Sequence, residues 1–129
     1  MKKRPELTEL QVELMRVLWE RGEASAAEVW SALRPRRRLA TTTVATLLTR
    51  LERRGVVGHR VEGRTYIYRP RVAEAEVRSS LLGRVKDAFA GDVSALFAQF
   101  LDEHDVDGDD LARMRELIET KERELEEGS

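Results

Sequence analysis

The sequence contains no cysteine and only three prolines in 129 residues. Without cysteine the chain forms no disulfide, thiolate metal site or iron–sulfur cluster, and it has no cysteine nucleophile. Its longest uncharged stretch, residues 39–49, is much shorter than the roughly 20 apolar residues that a membrane-spanning helix needs. The basic residues 2–4 are followed by Pro5 and Glu6 instead of an apolar segment, so no signal peptide is expected. We therefore expect a cytoplasmic protein that does not contact a membrane.

Catalytic motifs are also absent from the sequence. It has no glycine-rich phosphate loop, no serine elbow, no His-Glu-x-x-His pattern and only two histidines. The acidic segment 102–110 resembles a calcium loop, but alignment on Gly108 places Met114 where a bidentate glutamate is required. In this segment Asp109 is expected to act as a helix N-cap. We expect neither enzymatic activity nor a cofactor or bound metal.

The formal net charge of −1 hides two halves of opposite sign. Residues 1–70 contain 15 basic and 8 acidic side chains, whereas residues 71–129 contain 8 basic and 16 acidic ones. Within the first half, residues 34–69 hold ten arginines and two acids. Such a separation is typical of a chain with one nucleic-acid-binding half.

The first half has the pattern of three helices followed by a hairpin. Capping boxes at Thr8 and Ser25 predict the first two helix starts, and an apolar stripe predicts a third helix over residues 42–54. The period then changes from 3.6 to 2, which predicts strands over residues 56–61 and 65–68. The sequence therefore predicts a mainly α protein with a small β-hairpin wing, in which residues 1–70 form a winged helix-turn-helix domain.

The second half, residues 71–129, predicts an α-helical dimerisation domain. Helices are expected over residues 72–90, 93–103 and 109–126, with one apolar stripe each. Three such helices make a poor independent core, so we expect them to pack against a second copy; packing back onto the N-terminal domain is the alternative. The residues expected in this contact are Leu81, Leu82, Val85, Phe89, Leu96, Phe97, Phe100, Leu101, Leu111, Met114 and Ile118.

One face of the third predicted helix carries threonine and arginine but no acidic residue. Short side chains allow close approach to a major groove, threonine methyls suit thymine, and arginines suit guanine edges or phosphates. A solvated helix face is the alternative, but such faces usually mix both signs of charge. We expect DNA contacts from this face, the preceding basic loop and the wing, at Arg36, Arg37, Arg38, Thr42, Thr43, Thr46, Thr49, Arg50, Arg53, Arg60 and Arg64.

Several segments together resemble the penicillinase-repressor family of bacterial winged-helix transcriptional repressors. They are residues 7–10 (LTEL), 17–19 (VLW), 42–48 (TTVATLL), 50–51 (RL), 54–56 (RGV) and 62–70 (EGRTYIYRP). The resemblance implies a homodimer bound to an inverted-repeat operator in double-stranded DNA, with half-sites of the TACA/TGTA type. It also implies that Thr42, Thr43, Thr46 and Arg50 enter the major groove and that Gly63 and Arg64 belong to the wing.

The resemblance has two departures. Copper-responsive relatives sense metal through cysteines near the C-terminus, and this chain has none. The β-lactam repressors are inactivated by cleavage of an Asn-Phe bond, and the corresponding pair here is Gln99-Phe100. This pair is a candidate cleavage site for a sensor protease. The alternative is that Phe100 is an ordinary core aromatic and that an unknown inducer inactivates the protein.

The resulting hypothesis is a sequence-specific, homodimeric repressor of β-lactam-resistance or related stress genes. The sequence is also compatible with two other interpretations: a winged helix that docks an acidic protein partner, and a DNA-binding regulator that senses a metal or another ligand.

Overall fold

The computed structural model describes residues 6–128 and divides them into two compact units at Val85 and Lys86. The basic residues 2–4, on which the expectation of no signal peptide partly depends, lie outside the described residues. The first unit contains α1 (Glu9–Arg21), β1 (Ala24–Ser25), α2 (Ala26–Leu33), α3 (Thr41–Arg53), β2 (Val57–Glu62), β3 (Thr65–Pro70) and most of α4 (Glu74–Ala88). The second contains the end of α4, then α5 (Val93–Glu103) and α6 (Gly108–Glu127). The expected fold class is confirmed.

Both predicted capping boxes are present. The Thr8 hydroxyl accepts a hydrogen bond from the Gln11 amide, and the Gln11 side chain accepts one from the Thr8 amide. Ser25 and Glu28 make the same reciprocal pair at the start of α2. Each box satisfies two amides that the first helical turn leaves without a partner.

The sheet has three antiparallel strands in the order β1-β3-β2, so the predicted hairpin acquires one more strand. In β1, Ala24 lies opposite Tyr68 and Ser25 lies opposite Ile67. Two residues are too few to show a period of 2, which is why the sequence pattern does not reveal this strand. Gly63 turns β2 into β3 with a φ of +64°, a conformation that favours glycine.

The core of the first unit lies between the three N-terminal helices and the sheet. Leu14 and Leu18 of α1, Leu48 and Leu51 of α3, and Val57 of β2 are fully buried in it. At 100° per residue, the buried positions of α3 fall on one side of the helix, so burial determines which side faces solvent.

The first unit extends beyond residue 70, the expected domain boundary, into α4. Val77 and Ser80 of α4 are buried, and Leu81 packs against the core of the first unit. The Trp19 indole also donates to the Val72 carbonyl over 3.0 Å. The beginning of α4 is thus packed with the winged helix.

The second unit has helices whose side chains are largely exposed. Neither α5 nor α6 contains a buried residue. The expectation that Asp109 caps α6 is wrong, because the helix begins earlier and the Asp107 carboxylate accepts from the Asp110 amide over 2.8 Å. No helix in residues 6–128 is long and apolar enough to cross a membrane.

Candidate nucleic-acid interface

The solvent face of α3 carries the threonines and arginines that the sequence singles out. Thr42, Thr43 and Thr46 are exposed, whereas Val44 and Leu48 of the same helix are fully buried. Thr49, Arg50 and Arg53 continue the exposed face toward the C-terminus of the helix. Ala45, Thr46, Thr49, Arg50 and Arg53 line a shallow open cleft there.

Two threonines on this face use their hydroxyl hydrogens within the helix. Thr46 donates to the Thr42 carbonyl over 2.9 Å, and Thr49 donates to the Ala45 carbonyl over 3.0 Å. A hydroxyl has one hydrogen and two lone pairs, so these side chains offer an acceptor oxygen and a methyl group to a ligand. Thymine methyls and the amino groups of adenine and cytosine are the matching features of a major groove.

The N-terminus of α3 has no capping side chain and no acidic residue in its first turn. Its N-cap is Ala40, whereas Thr8 and Ser25 cap α1 and α2. A helix N-terminus carries a partial positive charge and free amides, which favour a phosphate. The exposed Arg36 and Arg38 lie in the loop just before it, so this end of the helix is strongly electropositive.

The arginines expected to contact DNA fall into two groups. In the part of the chain that the structure describes, five have no ion pair with a carboxylate: Arg36, Arg38, Arg50, Arg53 and Arg64. Arg37 instead lies 2.7 Å from Glu13 of α1, and Arg60 lies 2.7 Å from Glu23. The five exposed guanidinium groups are available to a ligand without breaking an existing pair.

The wing, formed by β2, β3 and the turn at Gly63, carries Arg64 next to that turn. In the middle of β2, Arg60 pairs with Glu23 and also with Glu62 at 3.0 Å. Hydrogen bonding to Arg60 lowers the pKa of the Glu23 carboxyl, and bonding to both acids raises the pKa of Arg60. Both shifts favour the charged forms of Glu23 and Arg60.

The opposite face of the wing holds an aromatic cluster. His59 Nδ1 lies 2.7 Å from each carboxylate oxygen of Glu52, which belongs to the last turn of α3. The His59 ring stacks on Tyr66 with centroids 4.1 Å apart, and Tyr68 lies 5.7 Å away. Burial, followed by the charge of Glu52, raises the pKa of the Tyr68 phenol.

Sequence reasoning missed Glu23, Glu52 and His59. Glu23 is 37 residues from Arg60, and Glu52 is seven residues from His59 across a change from helix to strand. No helical or strand period joins such pairs. The arginines of the wing indicate that acidic partners could lie nearby, but their sequence does not show which arginine is paired.

The residues expected at the dimer contact lie in both units. In the first unit, Leu82 and Val85 are exposed, whereas Leu81 is half-buried against that unit's own core. The second unit exposes Phe97, Phe100, Leu101, Leu111 and Ile118, with Phe89, Leu96 and Met114 half-buried. Leu117 is also exposed and was not among the expected contacts.

The candidate cleavage pair lies inside α5. Gln99 donates to Glu103 over 3.0 Å, and the ring of Phe100 stacks on His104 with centroids 4.7 Å apart. Phe100 is 44% exposed, so within one copy of the chain it is not a core aromatic. Among residues 6–128 there is no group of three or more histidines, cysteines or acids placed to hold a metal ion.

Comparison with known proteins identifies relatives of this chain. A family model described as penicillinase repressor matches residues 7–120. The penicillinase repressor of Bacillus licheniformis is 28% identical over 92% of this chain and 94% of its own length. The methicillin resistance regulatory protein MecI of Mammaliicoccus sciuri is 22% identical over 90% of this chain and 95% of its own.

Solved structures of the repressor BlaI are similar to the N-terminal part of this chain. The DNA-binding domain of the repressor BlaI is 32% identical, with a TM-score of 0.52 over 59% of this chain and 93% of that domain. The monomeric form of Bacillus licheniformis BlaI bound to the blaP half-operator is also 32% identical, with a TM-score of 0.51 over the same shares. This chain belongs to the penicillinase repressor family, a family of DNA-binding transcriptional repressors and not of enzymes.

Proposed function

We propose that this DNA-binding transcriptional repressor acts as a homodimer on an operator made of two inverted half-sites. The observation that carries the proposal is the solvent face of α3, which presents Thr42, Thr43, Thr46, Thr49 and Arg50 without an acidic residue among them. The half-operator complex of the 32% identical BlaI supports the same use of the winged helix. Occupancy of the operator blocks transcription.

The proposed contacts divide by chemistry. Threonine oxygens and methyls of α3, together with Arg50, read base edges in the major groove. Arg36 and Arg38, beside the uncapped N-terminus of α3, bind backbone phosphates, as do Arg53 at the end of the helix and Arg64 at the wing. Phosphate contacts set the register of the protein on the duplex, and base contacts select the sequence.

The regulated genes are proposed to serve β-lactam resistance or a related stress response. The relatives named penicillinase repressor and methicillin resistance regulatory protein support this class of target. The chain is proposed to act in the cytoplasm, where operator DNA is accessible. Induction is proposed to occur through a sensor protease at the Gln99–Phe100 bond, with an unidentified inducer as the alternative.

Cleavage at that bond has a structural requirement. The bond lies inside α5, and Gln99 additionally bonds to Glu103 one turn later. A protease must unwind the helix locally before it can bind the segment, so cleavage depends on the free energy of local opening.

A direct test starts by selecting duplexes from a random library with the full chain. The enriched duplex, labelled with fluorescein, is then titrated by fluorescence anisotropy at several salt concentrations. Each neutralised phosphate contributes a slope of about −0.9 in log K against log salt, so four phosphate-binding arginines give about −3.6 per protomer and about −7.2 for the proposed dimer on two half-sites. Enrichment of an inverted repeat with a steep slope supports the proposal; no enrichment, or a flat salt response, contradicts it.

A further inference from the structure

The middle of the wing is held by acidic side chains on both of its faces. His59 and Arg60 are neighbours in β2, and successive side chains of a strand point to opposite faces. The acids that bind them, Glu52 and Glu23, both lie outside the wing. Glu52 belongs to α3, and Glu23 directly precedes β1.

Arg60 is bound in a bidentate manner by Glu23. Its Nη2 donates to Oε1 over 2.7 Å, and its Nε donates to Oε2 over 3.3 Å. Glu62, two residues along the same strand and therefore on the same face, adds a contact at 3.0 Å. Glu23 and Glu62 thus occupy three of the five N–H donors of Arg60 and place two carboxylates beside it, so a phosphate that binds the remaining donors meets their negative charge.

On the other face of the wing, His59 is held by Glu52 and by stacking on Tyr66. Both oxygens of Glu52 lie 2.7 Å from its Nδ1, and its ring lies nearly parallel to Tyr66, with an interplanar angle of 13°. Only about a quarter of the His59 side chain is exposed. The last turn of α3 and the wing are thus connected by one hydrogen-bonded and stacked cluster.

We propose that Arg60 and His59 are positioning residues, and that their pairs with Glu23 and Glu52 set the angle of the wing so that Arg64 reaches the DNA backbone. In this arrangement Arg60 does not itself bind a phosphate, contrary to the expectation from its charge. The inference rests on the proposed function, because it concerns how the wing is presented to DNA.

The alternative role of Arg60 makes an opposite prediction for Glu23. If Arg60 binds a phosphate, then Glu23 competes with DNA, and Glu23→Gln tightens binding. If Glu23 positions the wing, the same substitution weakens binding even though it removes a negative charge. Glu20→Gln is the matched control, because Glu20 is an exposed acid of α1 for which the described residues provide no ion pair.

The first experiment measures anisotropy on the selected duplex for the full chain and for Glu23→Gln, Arg60→Gln, their double variant and Glu20→Gln. Each single variant of the pair is expected to bind roughly twofold to fivefold more weakly, the range that exposed ion pairs span. The double variant is expected to bind no more weakly than either single one, and the salt slope is expected to stay unchanged. Tighter binding by Glu23→Gln, or a slope reduced by about 0.9 in Arg60→Gln, overturns the inference.

A second measurement separates positioning from a general loss of structure. Arg64→Ala is introduced into the unsubstituted chain and into Glu23→Gln. Glu23 has no pair with Arg64, so their effects on DNA affinity are additive unless Glu23 positions the wing tip. We expect Arg64→Ala to reduce affinity less in the Glu23→Gln background, with melting temperatures nearly equal. Full additivity overturns the inference.

The His59 face is tested in the same way with Glu52→Gln and His59→Phe. Phenylalanine retains a ring that can stack on Tyr66 but has no donor for Glu52, so it isolates the hydrogen bond. Each variant is expected to weaken DNA binding by roughly twofold to fivefold, and the two together by no more. Unchanged binding by His59→Phe overturns this half of the inference. Failure of the unsubstituted chain to bind any duplex contradicts the proposed function itself.

Discussion

The arginines in α3 and in the loop before it differ in whether they are free to contact DNA. Arg50 is exposed and carries no ion pair among the described residues, so its planar guanidinium is free for a bidentate contact. Arg37, only 13 positions earlier, is bound to Glu13 and therefore also holds the loop before α3 against α1. Equal charge in the sequence thus corresponds to different roles in the molecule.

Replacement of Arg50 by alanine is expected to weaken binding to the selected duplex by about 1–3 kcal/mol and to relax selectivity at one base pair. The substitution removes a proposed base contact. Because the side chain is exposed, the fold is expected to stay unchanged. Anisotropy titrations against the selected duplex and its single-base variants measure this. Arg78→Ala, which removes the same charge from an exposed position of α4, is the control and is expected to bind normally. Equal losses in the two variants would show that only total charge matters.

At the scale of elements, local chemistry at helix termini determines where α1 and α2 begin. In the capping box of α2, the Ser25 amide donates to Glu28 over 3.0 Å, and the Glu28 amide donates to the Ser25 hydroxyl over 3.2 Å. Hydrogen bonds from Ser25 lower the pKa of the Glu28 carboxyl below its ordinary value of 4.5. Because α2 packs against α3, the capping box also supports the helix that carries the candidate interface.

This lowered pKa gives a signed prediction for acid stability. Between pH 4.5 and the lowered value, the unfolded chain binds a proton at Glu28 that the folded chain does not. The stabilisation from Glu28 is therefore fully present above the ordinary pKa and is lost as the pH falls through the lowered one. Glu28→Gln retains a capping-box side chain but cannot titrate. Urea unfolding followed by circular dichroism is expected to show a smaller loss of stability from pH 5.5 to 3.5 in this variant; an unchanged loss contradicts the assignment.

At the scale of the whole molecule, the second unit lacks a core of its own. Its helices α5 and α6 expose Phe97 and Ile118 by 52% and 60%, and neither helix buries any residue. Exposed apolar surface on such helices is typical of an interface with another protein. Together with the family membership, this supports the homodimer as the form in which the side chains of the second unit become buried.

Phe97→Glu is expected to convert the proposed dimer into a monomer, because it places a charge in the proposed apolar contact. Sedimentation equilibrium measures the mass directly. The monomer is expected to retain its affinity for a duplex with one half-site and to lose tighter binding to two, since linked sites raise the effective concentration. Ala95→Glu, about 160° around α5 from Phe97, is the control and is expected to remain dimeric. A dimeric Phe97→Glu would contradict this placement of the interface.

Much of the fold follows from short-range patterns. The sequence patterns place the helices and the hairpin within a few residues of their observed bounds. These patterns are the capping boxes, the apolar stripe of Val44, Leu48 and Leu51, and the change of period after Gly55. The short strand β1 was missed because its pairing with β3 comes from residues more than 40 positions away. The N-cap of α6 was misplaced by two residues because several neighbouring aspartates could cap it equally well.

The candidate site was predictable in its α3 face but not in its wing. Burial of one side of α3 leaves Thr46 and Arg50 on the other, so helical geometry alone places them together. The pairing of Arg60 with Glu23 requires β1 to lie beside β3, which no local pattern specifies. Likewise, Leu81 matched the apolar pattern of a dimer contact, but it packs within its own unit.

The sequence by itself determined a basic DNA-binding half, an acidic helical half and the face of α3 that meets solvent, because charge, capping and periodicity act over a few residues. Only the tertiary structure decided which arginines are free, because an ion pair depends on distances between side chains that are remote along the chain. Arg37 and Arg60 became parts of the scaffold when folding brought Glu13 and Glu23 within 2.7 Å. Arg50 and Arg64 met no acid in the described residues and remained available to DNA.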